Sequence, residues 1–327
     1  MKKVLLITPE FFQYYKYIKK ELEAQGCDVT WFRDIPSTST LLRGIARLNK
    51  NLIRPQVAAH AEDIIDTAKG ERFDQLIVVY GMTFSFSPEM MKELISALPN
   101  AHHTLYLWDS VKNLPHSKEI IELFDSVYSF DKTDSVGNVH FLPLFYTEKY
   151  SVIANYPAET DYFCAYVGTA HPNKLKCVNE MSAKLGEKHP NQFIYHYIPS
   201  KLKFYYHKLK DPEYKHVHLS DLTTEKVSIN DIVSILSRSV CVLDAPQAGQ
   251  TGLTIRTIET LGAKKKLITT NETIKDYDFY RPENIYVYTP GEDFDFSSDF
   301  FTKPYEELPE EIYEKYSIKS WISTLLK

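Results

Sequence analysis

The segment Cys241–Asn271 concentrates residue types that handle anions. An apolar strand candidate ends at Asp244, a loop of Pro, Gln and Gly follows, and a helix candidate opens around Gly252–Thr254. With Gly252 near the helix start, steps of about 100° bring Gly252, Arg256 and Glu259 within about 60° of one another. Ile255, Ile258 and Gly262 then fall on a neighbouring face that can pack on a sheet. A cation and a carboxylate share one polar stripe beside a helix N-terminus, whose free N–H groups attract anions. That combination suits a nucleoside diphosphate, with Arg256 and the helix start, including Thr254, on the phosphates and Glu259 on a sugar diol. The same spacing also describes a plain surface Arg–Glu pair at i,i+3.

A second candidate is Ala165–Lys174, where a strand runs into Gly168 and Thr169 and Pro172 opens a helix. Small residues after a strand let backbone amides approach a phosphate, and Lys174 supplies a charge in the first turn. His171 lies in the same loop. Any strand-to-helix turn can carry Gly-Thr, so a plain connection fits as well. The third candidate is Tyr106–Asn113. Asp109 directly follows an apolar strand, between Trp108 and Ser110, where a carboxylate can act as a general base. Asp is equally a ready N-cap for the next segment. Glu10, just after the first strand candidate, holds the equivalent place and is the rival base.

Other chemistry is argued against. There is no HExxH and no paired His or Cys array, so no tightly held metal is expected. Asp276-Tyr277-Asp278 and Asp293-Phe294-Asp295 match an Asp-x-Asp pattern, but an acidic chain produces such matches readily. GxSxG, GxxxxGK[ST] and GxGxxG are all absent, which disfavours a hydrolase elbow, a P-loop and a nicotinamide-binding turn. No cofactor is expected.

The elements that must position these residues alternate between short β-type runs and amphipathic segments, the pattern of parallel α/β sheets. The first half predicts strands at Lys3–Thr8, Val29–Arg33, Gln75–Tyr80, Thr104–Trp108, Ser126–Phe130 and His140–Leu142. Helices fall near Phe12–Ala24, Thr40–Asn51, Gln56–Lys69, Pro88–Leu98 and Ser117–Leu123, with Pro55 dividing the second stretch. After a linker at Pro143–Thr160, strands follow at Tyr162–Val167, Gln192–Ile198, His216–Leu219, Val240–Asp244, Lys266–Thr270 and Asn284–Tyr288. Helices are expected near Pro172–Glu187, Ile229–Ser237 and Gly252–Leu261, and a last one at Glu310–Leu326. Two α/β halves of about six strands each follow from the periodicity. Ligands of such sheets bind outside the carboxyl ends of the strands, where the three candidate segments lie.

Composition narrows the setting. A chain of 327 residues suggests two domains, and 43% hydrophobic residues can bury a real core. The balance of 38 basic against 43 acidic residues, net −5, argues against nucleic acid as a partner. The four cysteines lie far apart, three of them in or beside apolar runs, as reduced thiols do. The apolar run after Lys3 is too short for a signal sequence or a membrane span, so a cytoplasmic protein is expected. Two basic segments, Leu41–Arg54 and Lys201–Lys210, resemble interfacial segments that touch anionic lipid. Peripheral contact with the inner membrane surface is one reading of them, and ordinary amphipathic helices with a solvated face are the other.

The run from Asp244-Ala-Pro-Gln through Gly252-Leu-Thr-Ile-Arg256-Thr-Ile-Glu259 to Thr-Thr-Asn271 resembles the C-terminal domain of bacterial glycosyltransferases from capsule and lipopolysaccharide gene clusters. Phe163-Cys-Ala-Tyr-Val-Gly168-Thr and Leu107-Trp-Asp109-Ser are similar to the same group, which is related to the CgeB-like glycosyltransferases. The resemblance implies a GT-B fold, two Rossmann-like domains facing across a cleft. Residues 1–145 would form the acceptor domain, 146–308 the nucleotide-sugar donor domain, and 309–327 a helix crossing back to the first. It implies a metal-independent transfer of a sugar from a nucleotide-sugar donor to a hydroxyl of a surface polysaccharide or lipid-linked glycan. Gly168, Thr169, Lys174, Gly252, Thr254 and Arg256 would bind the donor, Glu259 would grip its ribose, and Asp109 or Glu10 would act as base. Thr251 stands where many retaining members place the first Glu of a Glu-x7-Glu signature, which leaves the stereochemistry open. A nucleotide-sugar epimerase of the same two-domain plan and a non-catalytic two-lobed binding protein are the alternatives.

Overall fold

The computed structural model describes residues 1–10, 13–36, 54–114, 116–155, 159–247 and 250–327. It divides into two compact units, Met1–Pro143 with Ile318–Lys327, and Leu144–Ser317. The first unit contains β1 (Lys2–Thr8), α1 (Tyr14–Ala24), β2 (Cys27–Arg33), α2 (Arg54–Gly70), β3 (Gln75–Tyr80), α3 (Pro88–Ser96), β4 (His102–Leu107), α4 (Ser117–Ile121), β5 (Ser126–Ser129) and β6 (Val139–Phe141). The second contains α5 (Glu148–Asn155), β7 (Tyr162–Thr169), α6 (Pro172–Gly186), β8 (Gln192–Tyr197), α7 (Lys201–Lys210), α8 (Ile229–Ser237), β9 (Ser239–Asp244), α9 (Ile255–Gly262), β10 (Lys266–Thr269), β11 (Ile285–Val287), α10 (Asp299–Thr302) and α11 (Glu310–Lys315). The chain ends with α12 (Ile318–Leu325), which belongs to the first unit.

Both sheets are parallel throughout, as apolar strands joined by helices require. The first runs β2-β1-β3-β4-β5-β6, with Val4 opposite both Val29 and Gln75. Leu5, Ile7, Leu76, Val78, Leu105 and Leu107 cluster with buried residues of α2, α3 and α4. On α12, Trp321 is 1% exposed and meets Tyr106 edge-on at 4.7 Å between ring centroids. The buried amide of Gln75 donates to the Leu325 carbonyl at 2.6 Å, so α12 closes the sheet through a hydrogen bond as well as through packing.

The second sheet runs β11-β10-β9-β7-β8. Cys164, Tyr166, Cys241, Leu243 and Ile268 cluster with Val178, Met181 and Leu185 of α6. Strand order reverses between β1 and β3 in the first sheet and between β7 and β9 in the second, which makes those two gaps the switch points where ligands of open α/β sheets bind.

Several expectations are corrected. His216–Leu219 is not a strand: the Lys208 ammonium takes the carbonyls of Tyr214, Lys215 and Val217, at 3.0, 2.8 and 2.7 Å, removing the acceptors a ladder would need. The second sheet therefore has five strands. The linker contains helix α5, which buries Tyr150 and Ile153. Lys201–Lys210 is a helix with Phe204 and His207 buried. The last segment is two helices rather than one, and Tyr316, between them, donates to Asp278 Oδ1 at 2.6 Å within the second unit. Pro55 sits in the first turn of α2, where its missing N–H costs nothing. The predicted helix Thr40–Asn51 and all of the Leu41–Arg54 stripe except Arg54 lie outside the described residues. Among the described residues no helix is long and apolar enough to cross a membrane.

Candidate functional site

In the second unit the carboxyl ends of β7 and β9 carry the two anion-handling candidates. Thr254 caps α9, its hydroxyl accepting from Thr257 N–H at 3.2 Å and donating to Asp244 Oδ2 at 2.6 Å. Thr257 also donates to Asp244, at 3.1 Å. Asp244, 2% exposed at the end of β9, thereby fixes where the helix starts. The helix begins at Ile255, so Gly252 lies in the loop ahead of it rather than on its first turn. That loop is held from β10: Asn271 and Thr273 donate to the Thr251 carbonyl at 3.3 and 2.8 Å. The Gln250 side chain donates to the Gly252 carbonyl at 3.1 Å.

Arg256 and Glu259 do come together, at 2.8 Å. The expected polar stripe is corrected in depth, however. Glu259 is 3% exposed and the Arg256 side chain 16%, so the pair is buried rather than solvated. Tyr150 of α5 faces both groups, and its phenol is pushed well above the ordinary range, by burial first and by the Glu259 charge second. Thr254 is likewise buried and occupied by Asp244 and Thr257, a structural rather than an open hydroxyl.

The β7 loop is arranged differently. Gly168 is the next-to-last residue of the strand, and the Tyr166 ring lies along it so closely that a Cβ at Gly168 would collide with the phenol oxygen. Gly168 is thus required by packing, whatever else it does. Thr169 closes β7, and its carbonyl accepts from His171 N–H at 2.8 Å. His171 is the N-cap of α6 but makes no side-chain capping bond, and the first turn of that helix holds no acid. Pro172 has no N–H, so the amides that this turn leaves without a side-chain cap are those of Asn173 and Lys174. Lys174 is half-buried in that turn. Burial first, then the charges of Lys174, His207 and Lys203, holds the His171 imidazole below its usual range.

In the first unit, Asp109 follows β4 and is half-buried, with Oδ2 accepting from Met82 N–H at 3.0 Å. It is not an N-cap. The 3-10 turn that follows starts after Ser110, whose hydroxyl donates to Asp131 at 2.7 Å. Burial raises the Asp109 carboxyl above its ordinary range, against the Met82 hydrogen bond, as suits a general base. A Cβ on Gly81 would lie 3.4 Å from Asp109 Oδ2 and 3.7 Å from Pro9, so the ends of β1, β3 and β4 meet here. Glu10 lies beyond β1 and is paired with Arg33 at 3.9 Å.

The two Asp-x-Asp matches serve local structure: Asp278 binds Lys315 and Tyr316, and Asp295 binds Ser297. Sequence reading missed Tyr150, Tyr166 and the clamp made by Asp244, Asn271 and Thr273. Only the alternation of Thr with the acid at Asp244, Thr254 and Thr257 could have signalled the last.

No family model matches this sequence, and no curated protein sequence matches it. Solved structures share its fold along nearly the whole chain. The apo lipopolysaccharide outer core galactosyltransferase WaaB is 12% identical, with 96% of this chain and 94% of that one covered and a TM-score of 0.55. Sucrose-phosphate synthase from Thermosynechococcus elongatus is 10% identical, with 99% and 95% covered and a TM-score of 0.58. Anabaena HepE in complex with UDP and glucose is 11% identical, with 99% and 95% covered and a TM-score of 0.52. At such identities the likeness is one of architecture: two doubly wound α/β units in a single chain, the GT-B plan.

Proposed function

We propose that this chain is a glycosyltransferase that takes its sugar from a nucleotide-sugar donor. The observation that carries the reading is the β7–α6 turn at the second switch point, with uncapped helix amides, Lys174, and the basic charges that act on His171. That is an arrangement for a multiply charged phosphate group. The structural neighbours support it: WaaB is a galactosyltransferase, the Thermosynechococcus protein is a sucrose-phosphate synthase, and HepE holds UDP and glucose.

In the proposed reaction the α6 amides, Thr169, Lys174 and the Gly252 loop hold the donor diphosphate, where negative charge develops as it leaves. Arg256 adds positive potential from its buried pairing. Glu259, being buried, acts by holding that guanidinium, a change from the ribose contact expected from sequence. An acceptor hydroxyl gives its proton to Asp109, its oxygen bonds the anomeric carbon, and the bond from that carbon to the diphosphate breaks. Glu10 is the alternative base. The charge is offset by side chains and helix amides, so the reaction is proposed to need no metal. The acceptor is proposed to be a hydroxyl on a surface polysaccharide or lipid-linked glycan handled in the cytoplasm, with the WaaB description as support.

The test is a thermal-shift panel of nucleoside diphosphates and their sugars, with Lys174→Ala beside the wild type. A stabilising donor whose effect falls at least tenfold in apparent affinity in Lys174→Ala supports the reading. No shift with any member, or an unchanged response in the variant, overturns it. Turnover of the donor without acceptor would reassign the chain as an epimerase.

A further inference from the structure

Helix α7 presents an unusual outward face. Phe204 and His207 point inward, and His207 Nδ1 lies 2.6 Å from Asp211 Oδ2 while its ring stacks on the buried Tyr214. The opposite face would ordinarily be polar. Instead Leu202 is 81% exposed, Tyr205 56%, Tyr206 48% and Leu209 89%. At 100° per residue these four span an arc of about 100°. Of the nine large apolar side chains standing exposed among the described residues, four fall on this one helix, so the patch is contiguous rather than scattered.

Charge completes the pattern. Lys201 borders the arc on one side, and Lys203 and Lys210 border it on the other, both with their ammonium groups 4.9 Å from the centre of the Tyr206 ring. No carboxylate occurs between Lys201 and Lys210, although the whole chain carries a net −5. Lys208 is excluded from this surface because its ammonium is used up on three backbone carbonyls, bonds that also fasten the helix to the unit. An apolar stripe between rows of lysine on a firmly held helix matches a surface that is apolar below and anionic above.

We infer that the outward face of α7 docks on an anionic phospholipid bilayer, with Leu202, Tyr205 and Leu209 entering the headgroup boundary and Lys201 and Lys210 meeting the phosphates. The inference does not rest on the transferase reading, because it invokes no donor and because Lys203, the one residue of this face whose charge also reaches His171, is left unchanged in every test variant.

Vesicle flotation at low salt tests it, using phosphatidylcholine alone and an equimolar mixture with phosphatidylglycerol. The protein is expected to float with the mixed vesicles and to stay behind with the neutral ones. Leu202→Ser with Leu209→Ser should cut partitioning at least tenfold while leaving the melting temperature and the donor response unchanged. Lys201→Gln with Lys210→Gln should cut it about twenty-fivefold, since each lysine at an anionic surface is worth about fivefold. No flotation with mixed vesicles, equal flotation with both kinds, or undiminished flotation of the leucine variant would each overturn the assignment. A wild-type dimer on gel filtration that the leucine variant loses would give the face to a second copy instead, and also overturns it.

Discussion

Glu259 Oε2 sits 2.8 Å from Arg256 Nη1 with 3% of the carboxylate side chain exposed, one turn into helix α9. A charge at that depth is tolerated because its partner is there, and removing the partner leaves it stranded. Arg256→Met should therefore lower the stability of the second unit by about 3–5 kcal/mol, as urea unfolding would read. Adding Glu259→Gln should return most of that loss, because the buried charge goes with it. Equal losses in the single and double variants would show that the pair is not coupled.

Asp109 carries a pH signature. Burial raises its carboxyl above the ordinary 3.8, so the folded chain binds that proton more tightly than the unfolded chain does. The ionised form then costs stability at neutral pH, and the cost disappears as the pH falls through the raised value toward the ordinary one. Asp109→Asn should stabilise the protein at neutral pH and match the wild type below the usual aspartate range. If Asp109 is the base, the same variant loses about a hundredfold to ten-thousandfold in transfer rate. The wild-type acid limb should lie above that of an ordinary aspartate. Thermal unfolding across pH, beside initial rates, checks both halves.

The Tyr166 phenol is buried and has no hydrogen-bond partner among the described residues. Tyr166→Phe should accordingly be neutral or stabilising, since a buried hydroxyl without a partner bears only its desolvation cost. Gly168→Ala drives a methyl against that oxygen and should cost about 1–3 kcal/mol. In the Tyr166→Phe background the same change should still be costly, because the ring Cζ, only 2.6 Å from the added methyl, remains. A double-mutant cycle on melting temperature measures the difference.

His196 is 5% exposed on β8, with Nε2 at 2.8 Å from Asn179 Oδ1, and burial pushes its pKa from 6.5 down to about 4. The folded state holds the neutral ring, so the unfolded chain takes up the proton first as the pH falls. Stability present above 6.5 should fall between 6.5 and about 4, by about 3 kcal/mol in all, and level off below. His196→Gln should flatten this slope in urea titrations. A wild-type stability that stays level across the window would contradict the assignment.

The strands were legible where apolar runs were bounded by polar turns, as at Lys2–Thr8 and Gln75–Tyr80. His216–Leu219 has a strand's alternation, and what competes with a strand is the Lys208 ammonium, nine residues before Val217, whose carbonyl it takes, a competitor that the alternation does not record. The spacing of Arg256 and Glu259 gave their direction around the helix correctly but not their depth. Depth is set by Tyr150, on a helix within a segment that reads as linker. The place of Asp109 at the end of an apolar strand was legible, but Asp244 ends β9 in the same way, so position alone does not separate an open carboxylate from one that holds a helix cap. Gly168 was found for its size, yet the group that demands the size is Tyr166, two residues back on the same face of the strand.

The Leu325 carbonyl that satisfies Gln75 follows the entire second unit in the chain, although it belongs to the first. Until that segment is made, the Gln75 amide has only Thr104 Oγ1, at 2.9 Å, as acceptor, and Tyr106 lacks the indole of Trp321. The half of the protein translated first must therefore wait, partly open, while the half translated second can finish ahead of it. This reverses the usual N-to-C order of co-translational folding.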